Sequence, residues 1–376
     1  MRLLYVSAYI VDKNGNDGIS KKIQNQIKAF ENIDFKVDYI YRDSDGIEAR
    51  LDGIVYNKKL NRVSYYFFFL IFCLQLLKER KYEYFYLRNI SYETNVFILP
   101  FFLKKIKKKC INKIMEIPAY PFGGEVSTIK QKITISYYNI LKKRFFKYID
   151  LVVFMGENQN KIWGIPALRI INCVNFNDIE IIQYNQNYFL NNEINIVGLA
   201  NLQNWHGYDR IIKGIYEYKH KSLSNIKVFF HIVGDNQPEY NNLKLLTDKL
   251  NLKNEIVFHG RLNNLEIKSL FKKMDIGVDS LARHRSGVNY NCSIKSKEYT
   301  AMNLPFIKSH SDDSFENLNF VKTIEADESP VDIEDLIDWK KKMGDFEMSI
   351  HDYAIKNFAW EKQFKNIVNF FENENR

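Results

Sequence analysis

Residues 280–307, SLARHRSGVNYNCSIKSKEYTAMNLPFI, group three basic side chains, Arg283, His284 and Arg285, ahead of a helix-like run carrying Lys295 and Glu298. Residues three apart share a helix face. At that spacing an ammonium suits a phosphate oxygen and a carboxylate suits a ribose diol; a surface ion pair is the plain alternative. Gly287 gives the cationic loop freedom, and Asn303 and Pro305 stop the helix. Upstream, Trp205 and His206 precede a helix that opens near Gly207, with Asp209 in the first turn where the helix dipole favours a carboxylate. An imidazole at such a helix start can bond a phosphate oxygen, or it can be structural. Between these stretches, two runs end at Gly234-Asp235 and His259-Gly260. Backbone groups there would hold a nucleotide base, although each run alone also reads as sheet punctuation. Near the N-terminus, Asn14-Gly15-Asn16-Asp17-Gly18 opens a helix and offers backbone N–H groups to an anion or a sugar. This loop is neither GxGxxG nor a P-loop, and a plain strand–helix turn fits it too.

Loops of this kind need a sheet to aim them. The first half alternates β-rich runs at 3–7, 36–41, 82–87, 113–117 and 151–154 with helical stretches at 20–30 and 129–148. Around 173–193 the pattern lapses into an Asn-rich segment, which reads as an interdomain linker. The alternation then restarts, with strands at 194–198, 228–234, 256–260, 276–279 and 306–308. Helices fall at 208–218, 241–250, 265–273 and 293–302, and the chain is helical after 331. Strand–helix alternation implies parallel sheets covered on both faces, so the fold class is α/β, two doubly wound domains in tandem. Ligands in such sheets bind beyond the strand carboxyl ends, and the natural site is the interdomain cleft.

Composition narrows the function classes. The chain has 376 residues, 46% hydrophobic and 26% charged, which suits two soluble domains and excludes a disordered chain. Cys73, Cys110, Cys173 and Cys292 match neither zinc nor redox spacing, so free thiols are expected. The opening MRLLYVSAY reads as a first strand instead of a signal peptide. The apolar run 63–77, interrupted by Ser64 and Gln75, reads as a buried helix and not a membrane span. Residues 1–170 carry 29 Lys and Arg against 16 Asp and Glu, and the remainder 25 against 29, so the basic character belongs to the first half. The clusters KKIKKK at 104–109 and KKRFFK at 142–147 suit an anionic membrane surface, or are solvated helix faces. No nucleic-acid module accompanies them, so no nucleic-acid partner is expected.

The ordered set of motifs resembles the group 1 (family 4) glycosyltransferases of the GT-B fold. Gly198, the stretch from Trp205 to Arg210, Gly234-Asp235, Val257-Phe258-His259-Gly260 and the run from Glu298 to Pro305 follow the family's order and spacing over 194–307. More weakly, Phe358-Ala359-Trp360 looks like the start of the final crossing helix, and the GISKKI loop and MEIPAYP look similar in the first half. The resemblance implies an N-terminal acceptor-binding Rossmann-like domain at 1–175. It implies a C-terminal nucleotide-sugar-binding Rossmann-like domain at 190–355, and a helix at 356–376 crossing back. It departs from the family in Leu199 and His206, where an Arg and a Lys are usual, in Tyr290 in place of the first of two glutamates, and in Asn303 in place of a Gly.

The implied activity is retaining transfer of a sugar from a nucleoside diphosphate sugar, a UDP-sugar by expectation, to a saccharide or lipid-linked acceptor in bacterial surface polysaccharide synthesis. The donor would lie against His206, Gly234, His259, Gly260, Arg285, Lys295 and Glu298. Arg285 and Lys295 would neutralise the leaving diphosphate and Glu298 would accept the ribose hydroxyls. Gly15, Gly18 and Glu125 would border the acceptor or diphosphate loop. Glu116 or Glu125 would orient or deprotonate the acceptor hydroxyl, with capping and surface roles fitting both equally. No metal and no cofactor beyond the nucleotide sugar are expected. The implied location is the cytoplasm, peripheral on the inner face of the membrane. The rival readings are a non-catalytic GT-B binding subunit, favoured by Tyr290 and Leu199, and a sugar-nucleotide epimerase, whose carboxylates have no clear place.

Overall fold

The structure, a computed structural model, describes residues 1–13, 18–91, 93–120, 128–182, 192–343 and 349–374. The chain divides into two compact units, Met1–Asn172 with Trp360–Arg376, and Cys173–Ala359. Of the expected linker, residues 183–191 lie outside the described residues.

Among the described residues, the first unit is built on a nine-stranded sheet. Its strands are β1 (Arg2–Ile10), β2 (Lys36–Arg42), β3 (Gly46–Leu51), β4 (Ile54–Lys59), β5 (Tyr82–Arg88), β6 (Cys110–Tyr120), β7 (Leu151–Gly156), β8 (Lys161–Ile162) and β9 (Ile165–Arg169). They lie in the order β4-β3-β2-β1-β5-β6-β7-β9-β8. The central strands are parallel and nearly continuous in apolar residues, as sheets buried on both faces require. The sequence reading lacked β3, β4, β8 and β9. The β3–β4 hairpin turns at Asp52-Gly53, whose φ angles of 51° and 82° match a two-residue turn of the primed type.

The unit's helices are α1 (Gly18–Asn32), α2 (Arg62–Phe67), α3 (Phe69–Leu77), α4 (Leu99–Ile106) and α5 (Ile129–Phe146). The apolar run expected as one buried helix is two, because Phe68 leaves helical geometry at φ −116° and ψ 11°. α3 buries Phe69, Leu70, Cys73 and Leu77, while Phe67 and Phe68 are exposed. No helix among the described residues is long and apolar enough to cross a membrane.

Among the described residues, the second unit has six parallel strands: β10 (Glu193–Leu199), β11 (Lys227–Val233), β12 (Ile256–Gly260), β13 (Ile276–Val278), β14 (Phe306–Lys308) and β15 (Val321–Thr323). Around them run α6 (Tyr208–Lys221), α7 (Glu239–Lys249), α8 (Asn264–Phe271), α9 (Ile294–Ala301), α10 (Ile333–Lys342) and α11 (Ile350–Asn357). The order β12-β11-β10-β13-β14-β15 reverses direction between β10 and β13. The loops leaving those two strands diverge to opposite faces and open a crevice between them, the switch point where doubly wound sheets bind ligands. Ile196, Phe230, Ile232 and Val278 of the sheet pack against Ile211 and Ile215 of α6 to form the core beneath it. The last helix, α12 (Trp360–Glu374), belongs to the first unit, where Phe364 stacks on Phe30 of α1 at 3.8 Å between ring centres.

Candidate functional site

The crevice of the second unit is bounded by the β10–α6 loop and the loop after β13. Two glycines let the walls approach. Gly207 adopts a left-handed φ of 68°, and a Cβ there would lie 3.0 Å from Ala282 of the facing loop. Gly234, at φ 134°, leaves the end of β11 so close to the β10 loop that a Cβ would meet the Ala200 oxygen at 2.0 Å. The Gly234 N–H donates to the Gly260 carbonyl at 2.8 Å, so the ends of β11 and β12 are tied together.

At the carboxyl end of β13 stands Asp279, fully buried. Lys295 Nζ, from the first turn of α9, lies 3.1 Å from its Oδ1, and His310 Nε2 lies 3.7 Å from its Oδ2. The Ser296 hydroxyl donates to Oδ2. Burial favours the neutral acid, but Lys295, then His310 and the serine hydroxyls, outweigh it and hold the Asp279 carboxyl well below the usual range. Burial also lowers the Lys295 ammonium, with Asp279 opposing. Among the described residues, Lys295 Nζ and Asp279 Oδ1 have no hydrogen-bond partner beyond each other, and Ser280 Oγ and His310 Nε2 have none. Such atoms cluster where a polar ligand or water completes the bonding.

His206 joins this cluster. The Gln203 backbone N–H donates to its Nδ1 at 3.0 Å, which puts the imidazole proton on Nε2. Burial, reinforced by Lys295 and Arg283, holds its pKa well below the ordinary value. A neutral imidazole with a fixed Nε2–H is a donor to an anion at any physiological pH. Arg283 lies over the Trp205 ring at 5.8 Å, which orients its guanidinium beside the same loop. Glu298 is half-buried one helical turn beyond Lys295, and the two charges couple.

Arg285 has a different environment. Its guanidinium forks onto Asp209, with Nη1 at 2.8 Å and Nη2 at 3.0 Å from the two oxygens, and bonds Glu328 through Nε at 2.9 Å. Nη1 also donates to the Asn204 carbonyl. These carboxylates raise its pKa still further. Arg285 therefore staples the β13 loop to the start of α6. His259 pairs with His231, Nε2 to Nδ1 at 2.9 Å, and the His231 Nε2 lies 3.3 Å from Asn195. The cluster thus brings together His206 and Lys295 with Glu298 close by, and leaves Arg285 and His259 in neighbouring networks. Sequence reading missed Asp279, His310 and Glu328. A carboxylate directly after the apolar run IGV was an available signal for Asp279; the other two gave none.

In the first unit Glu116, on β6, is wholly buried. Lys22 of α1 and Arg88 at the end of β5 each pair with its Oε1 at 3.1 Å, and Tyr86 Oη and Gln26 Nε2 donate to Oε2 at 2.7 and 3.0 Å. Burial works against its charge, but Lys22 and Arg88 with the Tyr86 hydroxyl prevail and hold the carboxyl down at about 2. An enclosed carboxylate of this kind joins α1 to two strands and has no face to offer an acceptor. Gly18 begins α1 and is exposed, whereas Gly15 and Glu125 lie outside the described residues. Among the described residues, no group of three or more His, Cys, Asp or Glu side chains is placed to hold a metal ion.

Residues 182–283 match the family model for glycosyl transferases group 1. No curated protein matches the chain in sequence. In three dimensions the chain is similar to sucrose-phosphate synthase from Thermosynechococcus elongatus, at 12% identity over 99% of this chain and 98% of that one, with a TM-score of 0.67. It is also similar to Anabaena Alr3699/HepE in complex with UDP and glucose, at 13% identity over 99% and 100% of the chains and a TM-score of 0.63. The lipopolysaccharide outer core galactosyltransferase WaaB matches at 14% identity over 98% and 99%, with a TM-score of 0.60. At these identities the likeness is one of fold, and the fold is GT-B.

Proposed function

We propose that this chain, a group 1 glycosyltransferase of the GT-B fold, moves a sugar from a UDP-sugar to a saccharide or lipid-linked acceptor of a bacterial surface polysaccharide, with retention at the anomeric carbon. The observation that carries the reading is the clustering of the Lys295 and Arg283 cations and the neutral His206 Nε2–H donor around Asp279, at the switch point of the second unit's sheet. As the bond from the anomeric carbon to the diphosphate lengthens, negative charge grows on the leaving oxygens. Lys295 and Arg283 supply opposing charge and His206 a neutral donor, all oriented before the reaction begins. Asp279 holds Lys295 in place and keeps it charged against burial. Glu298 accepts the ribose hydroxyls, and the tied ends of β11 and β12 at Gly234 and Gly260 border the base. Arg285 positions the loop that carries Arg283. In this reading protein cations do the work without a divalent metal. UDP is favoured because HepE, a structural relative, holds it. The first unit takes the acceptor, and its basic surface faces the membrane.

The test is thermal stability with UDP, GDP, ADP and CMP, each with magnesium and with EDTA. A ligand at about 100 times its dissociation constant adds about 2.7 kcal/mol, a shift of several degrees. Stabilisation by UDP, unchanged by EDTA and abolished in Lys295→Ala and Glu298→Ala, supports the reading. A shift that appears only with magnesium overturns metal independence, and no shift with any nucleotide overturns the donor site.

A further inference from the structure

We propose that the outward face of α5, together with the adjoining α4, docks this chain on a bilayer of anionic lipid. The proposal rests on the reading of a lipid-linked acceptor for its purpose and deepens it by placing the contact.

The helix α5 is apolar on two opposite sides. One side carries Thr134, Tyr138, Phe145 and Phe146, all buried in the first unit. At about 100° per residue, Ile129, Ile133 and Ile140 form a second stripe on the other side. There they are 78%, 57% and 75% exposed. Three aligned isoleucines held in water are the mark of an interaction face, whereas scattered single apolar residues are not. Exposed cations line both edges of the stripe: Lys132 and Lys143 along one, Lys130 and Arg144 along the other. Next to it, α4 packs on α5 and adds exposed Phe101, whose ring lies 5.5 Å from the Lys105 ammonium. Phe97, in the turn before α4, touches Tyr137 of α5 at 4.4 Å between ring centres and is itself partly exposed. The helices α2, α3, α4 and α5 contain no Asp or Glu.

Charge and apolarity together select the occupant. A nucleic acid would answer the cations but leave the isoleucines in water. A second copy of the same face would bury the isoleucines but set lysine against lysine. A bilayer with anionic headgroups answers both, since the isoleucines enter the acyl boundary while the lysine and arginine heads reach the phosphates. The aromatic residues of the KKRFFK cluster take no part, because Phe145 and Phe146 point into the core.

The experiment is co-sedimentation of the full chain with vesicles of phosphatidylcholine alone, and with about a third phosphatidylglycerol. Binding is expected to the anionic vesicles only, and to weaken with added salt. Ile133→Glu with Ile140→Glu, and separately Lys132→Glu with Lys143→Glu, should each lower vesicle affinity about tenfold or more. Both pairs replace exposed side chains, so the thermal midpoint and the UDP-induced shift should not change. Parent protein that ignores anionic vesicles, or an isoleucine variant that binds them like the parent, overturns the proposal. So does an oligomer of the parent that Ile133→Glu abolishes, or a duplex DNA that displaces the vesicles. Vesicle binding without a nucleotide shift would sink the glycosyl-transfer reading and leave the docking face standing; the reverse pattern would do the opposite.

Discussion

Lys295 Nζ and Asp279 Oδ1 lie 3.1 Å apart at the carboxyl end of β13, an ion pair inside the buried end of the sheet. Lys295→Ala should lower the transfer rate about 10²–10³-fold, the usual cost of losing a preorganised charge. It should also lower stability by about 3–5 kcal/mol, because Asp279 is left buried with less compensation. Adding Asp279→Asn should restore the urea midpoint and not the rate. A double variant that recovers its rate would show that Lys295 acts only through Asp279.

Arg283 and Arg285 are two residues apart and should respond differently. Arg285 is spent on Asp209 and Glu328, so Arg285→Lys, which lacks the planar fork, should lower the thermal midpoint. Arg283→Ala should weaken UDP binding about tenfold, by loss of a charge-assisted bond. Calorimetric titration of both variants with UDP separates the roles. Equal affinity losses in the two would assign both guanidiniums to the diphosphate.

Much of this architecture was legible because it rests on local pattern. The apolar runs of β1, β5, β7 and β10 are buried on both faces, and such runs announce themselves without partners. The β3–β4 hairpin had a signal too, Asp52-Gly53 between two short runs, but it is not a strand–helix unit. The site was legible only in part. Lys295, Glu298 and His206 stand out by type and by place at helix starts. Their surroundings come from tertiary approach: Asp279 is 16 residues from Lys295 along the chain, and Glu328 is 43 from Arg285. Glu116 shows the same limit. Its position after an apolar run suggested reach to a substrate, yet the register that sets Arg88 directly opposite it encloses the carboxylate.

Glu116→Gln should therefore act on stability and spare the chemistry. Without the carboxylate, Lys22 and Arg88 remain buried with less compensation, a loss of about 3–5 kcal/mol. The pH dependence has a definite sign. The folded carboxyl is held at about 2 against an ordinary 4.5, so its stabilisation is complete above 4.5 and is lost as pH falls towards 2. The variant's unfolding free energy should be flatter than the parent's across that window. A fall in transfer rate at an unchanged melting temperature would return Glu116 to the reacting groups.

The second unit should weaken in a higher pH window than the first. Burial holds His206, His231 and His310 below the ordinary value of 6.5, the last two at about 4. As pH falls below 6.5 the unfolded chain takes up these protons while the folded unit refuses them, so stability declines until about pH 4. Only below 4.5 does the Glu116 network begin to fail. Scanning calorimetry in steps from pH 8 to pH 3 should show one transition moving before the other, and His231→Gln should make the upper slope about one proton shallower. Affinity for an intact UDP-sugar, whose diphosphate is esterified at both ends and does not titrate there, should stay flat between about pH 6 and 8, because His206 binds as a neutral donor throughout. Affinity that instead rises as pH drops through 6.5 would mean that the imidazole binds the diphosphate as a cation. Its Nδ1 would then have to release the Gln203 N–H, and the fixed tautomer could not be what serves the ligand.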